Sequence, residues 1–171
     1  MNGEFGLEKR TKTKATNLFK LFLSDVGLLA AMYMDGIQDD IQIKILNREK
    51  DINFGAIYEN VAAQELRAHG FELYYFNSKK QGDLDFLVEQ HSEVLPIEIK
   101  SGKDYTKHAA LNAVLANDAY EISGAFVFHN GNISTADKVT YYPIYMLMFL
   151  QKRKMEEDLV YRIDLDVLTH P

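Results

Sequence analysis

The order of helical and strand-like patterns along the chain predicts an α/β domain with a mixed central sheet flanked by helices. Two observations favour this fold. A helix-periodic segment precedes three closely spaced strand-like segments, and a second helical segment separates these from an apolar strand. The 171 residues suffice for one domain with a substantial core. We expect that domain to span residues 18–154, after a flexible basic lead at 1–17 and before a C-terminal extension at 155–171.

The chain before the three strands predicts one further strand and two helices. Leu18–Leu23 is a short apolar and aromatic run that is typical of a strand. Asp25 is a suitable N-cap for a helix over the apolar residues Val26–Met34. A longer helix is predicted to run from Asn53, a second N-cap, to Ala68, because its apolar residues recur at helical spacing.

The sheet is predicted from four segments and one intervening helix. Three strands are predicted at Glu72–Phe76, Leu84–Glu89 and Leu95–Ile99, separated by turn-like residues. Tyr105–Asp118 carries apolar residues at helical spacing. The continuous apolar run Gly124–Phe128 then predicts a strand that is buried on both faces.

The end of the domain is predicted to be less regular. His129–Asp137 is rich in Asn, Gly and Ser, which is typical of a loop. Pro143 is suited to open a short terminal helix over Ile144–Leu150.

The composition excludes several classes of site. No cysteine is present, which excludes disulfides, thiolate zinc sites, cysteine-ligated iron–sulfur clusters and a cysteine nucleophile. The chain has no apolar run of the roughly 18 residues that a membrane span requires. The first residues lack the hydrophobic stretch of a secretory signal. We therefore expect a cytoplasmic protein with no membrane partner.

The charge balance limits how the chain could bind nucleic acid. The net charge of −6 and the pI of about 5.4 argue against a broad basic surface. Basic residues are concentrated at Lys9–Lys20, Lys79–Lys80 and Lys100–Lys107. These stretches are either solvated faces, which we favour from charge alone, or local contacts to an anion.

The third predicted strand carries charged residues where apolar ones are expected. Residues at i and i+2 of a strand point to the same face, so Glu98 and Lys100 project together. Ile97 and Ile99 point to the opposite, apolar face. Asp85 lies near the start of the preceding strand. Because helices are expected to cover both faces of the sheet, this misplaced polarity indicates a functional site.

Two glutamates of the helix before the strands are candidates for the same site. On a helical wheel Glu59 lies away from the polar side of the helix, so we predict that it faces the sheet. Glu65 lies within the apolar arc and competes for that role, although we favour a partnership with a basic side chain in the helix–sheet layer. The polar side of the wheel consists of Asn60, Gln64 and Arg67.

Carboxylates on adjacent strands together with a lysine suit phosphodiester hydrolysis. The reaction needs neutralisation of the phosphate charge and an activated water. Converging carboxylates hold Mg²⁺, which prefers oxygen ligands, and a nearby lysine orients the attacking water.

These residues resemble the pattern of the PD-(D/E)XK nuclease superfamily, in which a helix glutamate precedes an aspartate and a Glu-x-Lys pair. Four blocks look still more closely like the domain of unknown function 4143. In that family the domain is typically the C-terminal part of bacterial and archaeal proteins whose N-terminal part is an AAA+ ATPase. The resemblance covers about residues 18–150 and rests on Leu21–Ala30, Tyr58–Leu66, Asp83–Phe86 and Ile97–Gly102.

The resemblance implies a restriction-endonuclease-like fold and a metal-dependent nuclease site. By that likeness Asp85 and Glu98 are metal ligands, Glu59 is an accessory ligand and Lys100 orients the water. Asp85, Glu98 and Lys100 form the catalytic set. The expected cofactor is Mg²⁺ or Mn²⁺, and the expected substrate is DNA.

The sequence departs from the family pattern at two places. The superfamily often has a glutamine in the helix after the lysine, whereas this helix offers Lys107, His108 and Asn112. We retain Lys107 and His108 as weak candidates for nucleic-acid contacts. Asp83 stands where the family usually has Glu, and this shorter acid is either structural or supports the ligands.

Three functional hypotheses remain open from the sequence. The first is a metal-dependent nuclease acting on DNA. The second is a non-catalytic module that binds a partner protein or serves as the accessory part of an AAA+ ATPase. The third is a carboxylate cluster kept only as a buried ion-pair network. ATP hydrolysis by this chain is not expected, because Gly102-Lys103 is followed by Asp104 and lacks the glycine pattern of a Walker A loop. No interface pattern predicts an oligomeric state.

Overall fold

The computed structural model describes residues 20–34 and 55–152. Within them a six-stranded mixed sheet is flanked by helices, which confirms the predicted mixed α/β architecture. The basic lead at 1–17, the extension at 155–171 and the predicted N-cap Asn53 lie outside the described residues.

Among the described residues the α-helices are α1 (Val26–Met34), α2 (Gly55–Ala68) and α3 (Ala109–Leu115), and α1 packs against α2. The predicted cap of α1 is confirmed, because Asp25 Oδ1 accepts the Leu28 N–H at 2.7 Å. After α2 the chain turns at Gly70, whose φ of +85° is left-handed and suits a residue without a Cβ. None of the helices in the described part of the chain is both long and apolar enough to cross a membrane.

The sheet has the strand order β1-β2-β3-β4-β6-β5. Antiparallel pairing joins β1 to β2, β2 to β3 and β5 to β6, whereas β4 pairs in parallel with both β3 and β6. The parallel β3–β4 pair requires a crossover, and this crossover contains α3. The strands are β1 (Tyr74–Ser78), β2 (Gly82–Gln90), β3 (Glu93–Ile99), β4 (Ala125–His129), β5 (Ser134–Ala136) and β6 (Val139–Pro143).

Two hydrophobic cores lie on the two faces of this sheet. The first core packs α2 against alternate residues of the strands, including Ile97 and Ile99 as predicted. The second core packs Leu111 and Val114 of α3 against the sheet, and it includes Val127 of β4. Val127 and Phe128 are both nearly fully buried, which confirms that β4 is covered on both faces.

The structure corrects the prediction of a strand at Leu18–Leu23. Residues 20–23 have no regular secondary structure, and 18–19 lie outside the described residues. The reason is a side-chain partner: the Asn60 amide accepts from the Leu23 N–H at 2.8 Å and donates to the Leu23 carbonyl at 3.0 Å. These bonds occupy the backbone groups that a strand neighbour would otherwise use.

The region after α3 also differs from its prediction. The predicted loop His129–Asp137 contains the edge strand β5, and β6 was not predicted at all. Every side chain of β5 is exposed, so it carries no apolar alternation from which to predict a strand. The predicted helix Tyr105–Asp118 is limited to α3, and a separate 3-10 helix follows it at Asp118–Tyr120. The terminal helix is confirmed as a 3-10 helix at Ile144–Phe149.

Candidate functional site

The charged residues of the sheet meet where the pairing of β2 with β3 ends. The last paired residues there are Phe86 and Ile97, and the next position on each strand is Asp85 and Glu98. Directly paired residues share a face of the sheet, and Glu98 pairs on its other side with Val127 of the second core. The sequence therefore places two carboxylates side by side at a point where the sheet would otherwise continue its apolar packing.

Glu98 and Lys100 form a close ion pair, as their spacing predicts. Lys100 Nζ donates to Glu98 Oε1 at 2.7 Å. The Glu98 side chain is 8% exposed and that of Lys100 is 28% exposed, so the carboxylate is the deeper member of the pair. The pair lies at the edge of the core rather than on a solvated face.

The second oxygen of Glu98 has no hydrogen-bond partner among the described residues. Glu98 Oε2 is buried, and Oε1 is occupied by Lys100. Burial, followed by repulsion from Asp85, raises the pKa of Glu98, and the nearby Lys100 lowers it in part. The balance shows that Lys100 alone does not compensate the buried charge.

Asp85 links the two strands through its side chain. Its Oδ2 accepts the Ile99 N–H at 2.9 Å, which continues the β2–β3 connection after backbone pairing has ended. Its Oδ1 lies 3.5 Å from the ammonium group of Lys20. One Asp85 oxygen is thus held by the sheet, and the other faces a cation.

Glu59 of α2 lies within electrostatic reach of these carboxylates, as the helical wheel predicts. Burial raises its pKa first, and the charges of Asp85 and Glu98 add to the effect. Its Oε2 lies 3.9 Å from Lys20 Nζ. Glu65, the competing glutamate, instead lies 3.9 Å from His69 Nε2 one turn further along the helix. The partner of Glu65 is thus a histidine at the end of the same helix, not the basic side chain of the helix–sheet layer that we favoured. We call Glu59, Asp85, Glu98 and Lys100 the carboxylate site.

The carboxylate site matches the needs of a divalent cation only in part. No three His, Asp or Glu side chains within residues 20–34 and 55–152 converge as a group that could hold a metal ion. Two carboxylate oxygens nevertheless suit such a ligand: the buried, unpartnered Glu98 Oε2 and the cation-facing Asp85 Oδ1. Mg²⁺ is often bound through one or two carboxylates with water in its remaining positions, so these two oxygens are of the type that it uses as protein ligands.

The two weak candidates for nucleic-acid contacts differ in exposure. Lys107 is exposed and forms an ion pair with Asp104 at 2.9 Å. His108 is 6% exposed, and its Nε2 forms a 2.7 Å hydrogen bond with the Tyr141 hydroxyl. A ring buried to this extent has little surface to offer a phosphate, so the structure favours a structural role for His108.

A second group of polar side chains lies further along the sheet, on β4, on β6 and on the segment before α3. His129 is fully buried, stacks on Tyr105 with ring centroids 3.8 Å apart, and accepts the Gly131 N–H through Nδ1 at 2.9 Å. Tyr141 contacts both of these rings edge-on. We call Tyr105, His108, His129 and Tyr141 the histidine–tyrosine cluster.

Sequence reasoning missed Lys20 as a neighbour of the carboxylate site. It treated Lys20 as one member of a basic stretch, because its contacts to Glu59 and Asp85 join residues far apart in the chain. It also assigned Asn60 and Gln64 only to the polar side of α2. In the structure both bond the backbone of residues 23–26, and Asn60 is buried. The one available signal was that Leu21–Ala30 and Tyr58–Leu66 both occur as blocks of the same family resemblance.

Fold and site together define an α/β domain that holds a charged cluster within its central sheet. The model of the family described as Domain of unknown function (DUF4143) matches residues 54–147, which is more than half of the chain. The chain therefore belongs to this family. The match includes all four residues of the carboxylate site, whereas the Leu21–Ala30 block precedes it. No curated protein and no solved structure matches the chain.

Proposed function

We propose that this chain is a PD-(D/E)XK nuclease-like domain that hydrolyses phosphodiester bonds of DNA with Mg²⁺ or Mn²⁺. The observation that carries the proposal is the state of Glu98. Its carboxylate is buried, one oxygen is bonded to Lys100, and the other has no hydrogen-bond partner among the described residues. A buried charge in this state is unfavourable unless a ligand compensates it. With Asp85 beside it, a divalent cation is a ligand of suitable charge.

The residues of the carboxylate site divide the chemical roles between them. Asp85 and Glu98 would hold the cation, with Glu59 as an accessory carboxylate. When bound, the ion would supply charge neutralisation for the phosphate and a lowered pKa for a water molecule. Lys100, held at 2.7 Å from Glu98, would donate hydrogen bonds from Nζ and so orient a water or a phosphate oxygen.

The net negative charge of the chain favours a mechanism in which a partner protein brings the substrate to the site. A net charge of −6 disfavours strong autonomous binding to a polyanion. The described basic residues near the site are few, and the exposed Lys107 is already paired with Asp104. The family resemblance supports an AAA+ ATPase module as that partner.

The test is a Mn²⁺ or Mg²⁺ titration by calorimetry with a DNA cleavage assay on the same samples. The variant is Glu98→Gln, which removes the charge but keeps the size of the side chain. We expect cleavage to fall by on the order of a hundredfold or more and metal binding to be lost. The matched control is Glu93→Gln, which makes the same change at the exposed opposite end of β3.

The outcomes of this experiment separate the hypotheses. Metal binding and cleavage that both disappear in Glu98→Gln and persist in Glu93→Gln support the nuclease. Metal binding without cleavage supports a competent site that lacks its substrate or its ATPase partner. If the wild-type chain binds neither ion at millimolar concentration, the nuclease proposal is wrong and the carboxylate site is an ion-pair network.

A second function is a protein-interaction or accessory module of an ATPase. It is favoured by exposed apolar side chains on the 3-10 helix at Ile144–Phe149, where Tyr145, Met148 and Phe149 are each more than half exposed. Exposed aromatic side chains grouped on one short element are typical of contact surfaces. This function predicts that Phe149→Ser weakens co-purification with an AAA+ ATPase module while metal binding at the carboxylate site is unchanged.

A further inference from the structure

Lys20 lies between two carboxylates of the site without belonging to the predicted catalytic set. Its Nζ is 3.5 Å from Asp85 Oδ1 and 3.9 Å from Glu59 Oε2. The three side chains are partly buried, with 29% of Lys20 and 16% of Asp85 exposed. Among the described residues, the Lys20 ammonium group is thus the cation that pairs with these two carboxylates, just as Lys100 pairs with Glu98.

The segment that carries Lys20 is anchored to α2 and to the sheet. Asn60 bonds both backbone groups of Leu23, and Gln64 Oε1 accepts the Val26 N–H at 3.1 Å. The Phe22 ring contacts that of Phe86 with centroids 5.3 Å apart. Because these anchors begin two residues after Lys20, the fold holds the backbone next to Lys20 beside the carboxylate site.

Lys20 and a divalent cation would require the same carboxylate oxygen. Asp85 Oδ2 is held by the Ile99 N–H, so Oδ1 is the oxygen left for a ligand, and Oδ1 is the atom that faces Lys20. A bound cation at Oδ1 would also be repelled by an ammonium group at this distance. The Lys20 ammonium group and a divalent cation therefore compete for Asp85 Oδ1.

We propose that Lys20 is a resident counter-cation which a divalent metal must displace from Asp85 Oδ1, so that Lys20 sets the metal affinity of the site. This inference rests on the proposed metal site and adds its regulation. In the metal-free protein Lys20 compensates Glu59 and Asp85. When a metal binds Asp85 Oδ1, the Lys20 ammonium group moves away from this oxygen. It stays near the site, because residues 22–26 remain anchored to α2 and to Phe86.

The test is Mn²⁺ titration of the metal-free chain by calorimetry. Lys20→Met keeps the length of the side chain and removes its charge. Because the pair is partly exposed, we expect Mn²⁺ to bind roughly tenfold more tightly to Lys20→Met than to the wild type. Lys152→Met is the matched control. This substitution removes one exposed charge far from the carboxylate site: the neighbouring Gln151 contacts Gln90, which lies at the end of β2 opposite Asp85. It should change the affinity for Mn²⁺ less than twofold.

Two further variants keep the test decisive. Lys20→Gln retains a polar side chain and serves if Lys20→Met does not fold; it should show the same gain. Asn60→Ala loosens the anchor at Leu23 without changing any charge, and it should tighten Mn²⁺ binding by less than Lys20→Met does. The double variant of Asn60→Ala with Lys20→Met should gain nothing over Lys20→Met, because both changes act through one ammonium group.

The outcomes distinguish failure of this inference from failure of the proposed function. Equal Mn²⁺ affinity of the wild type and the Lys20 variants, with binding lost in Glu98→Gln, overturns the role of Lys20 and leaves the metal site intact. Binding to the wild type that tightens roughly tenfold in both Lys20 variants and stays unchanged in Lys152→Met supports the inference. The absence of Mn²⁺ binding in every variant overturns both proposals.

Discussion

The carboxylate site and the histidine–tyrosine cluster show two ways of burying polar side chains in one sheet. Both contain buried atoms without hydrogen-bond partners among the described residues: Glu98 Oε2 in the first, and His108 Nδ1 and His129 Nε2 in the second. The histidine–tyrosine cluster is held by ring stacking and by a hydrogen bond at 2.7 Å. The carboxylate site is held by charges. The comparison indicates that the histidine–tyrosine cluster stabilises the fold, whereas the buried charge of the carboxylate site destabilises it.

The pKa shifts of the two regions give opposite dependences of stability on pH. Burial raises the pKa of Glu98 above its ordinary 4.5, so the folded chain binds that proton more readily than the unfolded chain. The stabilisation that comes from this preferential proton binding by the folded chain is lost as the pH rises from about 4.5 through the raised pKa of Glu98. Burial lowers the pKa of His129 below 6.5, so the unfolded chain takes up that proton first. The corresponding stability is lost as the pH falls below about 6.5.

We expect the greatest loss of stability from a substitution in the histidine–tyrosine cluster. His129→Ala removes a fully buried ring that stacks on Tyr105 at 3.8 Å and leaves a cavity. We expect the free energy of unfolding at pH 7 to fall by about 3 kcal/mol, measured by urea denaturation. His91→Asn, on an exposed turn with positive φ, is the control and should change it by less than about 0.5 kcal/mol. A loss below 1 kcal/mol for His129→Ala would contradict a stabilising role of the cluster.

The second prediction concerns the ion pair of the carboxylate site. Lys100→Met removes the 2.7 Å hydrogen bond to Glu98 Oε1 and leaves the Glu98 carboxylate buried. Since Lys100 is partly exposed, we expect a loss of about 2 kcal/mol at pH 7, at the low end for a broken buried pair. The loss should shrink as the pH approaches 4.5, because protonated Glu98 needs no counter-charge. A loss that is independent of pH would mean that Lys100 acts through packing; Lys152→Met is the control.

The third prediction tests the neutral hydrogen bond of the histidine–tyrosine cluster. Tyr141→Phe removes the hydroxyl group bonded to His108 Nε2 and leaves that buried nitrogen unpaired. We expect the free energy of unfolding to fall by about 1.5 kcal/mol. Tyr145→Phe removes an exposed hydroxyl and should leave it unchanged within error. Equal effects of the two substitutions in thermal denaturation would show that the Tyr141 hydrogen bond contributes nothing.

The fourth prediction is a small gain in stability instead of a loss. Glu98→Gln removes the buried charge that Lys100 does not fully compensate, so we expect the metal-free chain to gain about 1 kcal/mol at pH 7. The gain should vanish near pH 4, where Glu98 of the wild type is protonated. Urea denaturation at both pH values, with Glu93→Gln as control, measures the difference. Destabilisation at pH 7 would mean that Glu98 is retained for stability, and the contrast between the two regions would fail.

The elements that could be predicted from the sequence are those with strong local patterns. The cap of α1 at Asp25 and the apolar spacing of α2 depend on residues close together in the chain, so their positions were predicted correctly. The edge strand β5 could not be predicted, because its three side chains are all exposed and its backbone is ordered only by pairing with β6. The segment at 20–23 has the composition of a strand, but Asn60 takes its backbone hydrogen bonds.

At the site, the shared direction of Glu98 and Lys100 could be predicted from the sequence, because residues two apart on a strand lie on the same face. The sequence also indicated that Glu59 turns toward the strands. Two contacts of Asp85 could not be predicted in this way: its Oδ2 accepts the Ile99 N–H, and its Oδ1 faces Lys20. Periodicity describes direction within one element, whereas these contacts depend on where the β2–β3 pairing ends and on how residues 22–26 are anchored to α2 and to Phe86. Their physical cause is packing and hydrogen bonding between distant parts of the chain.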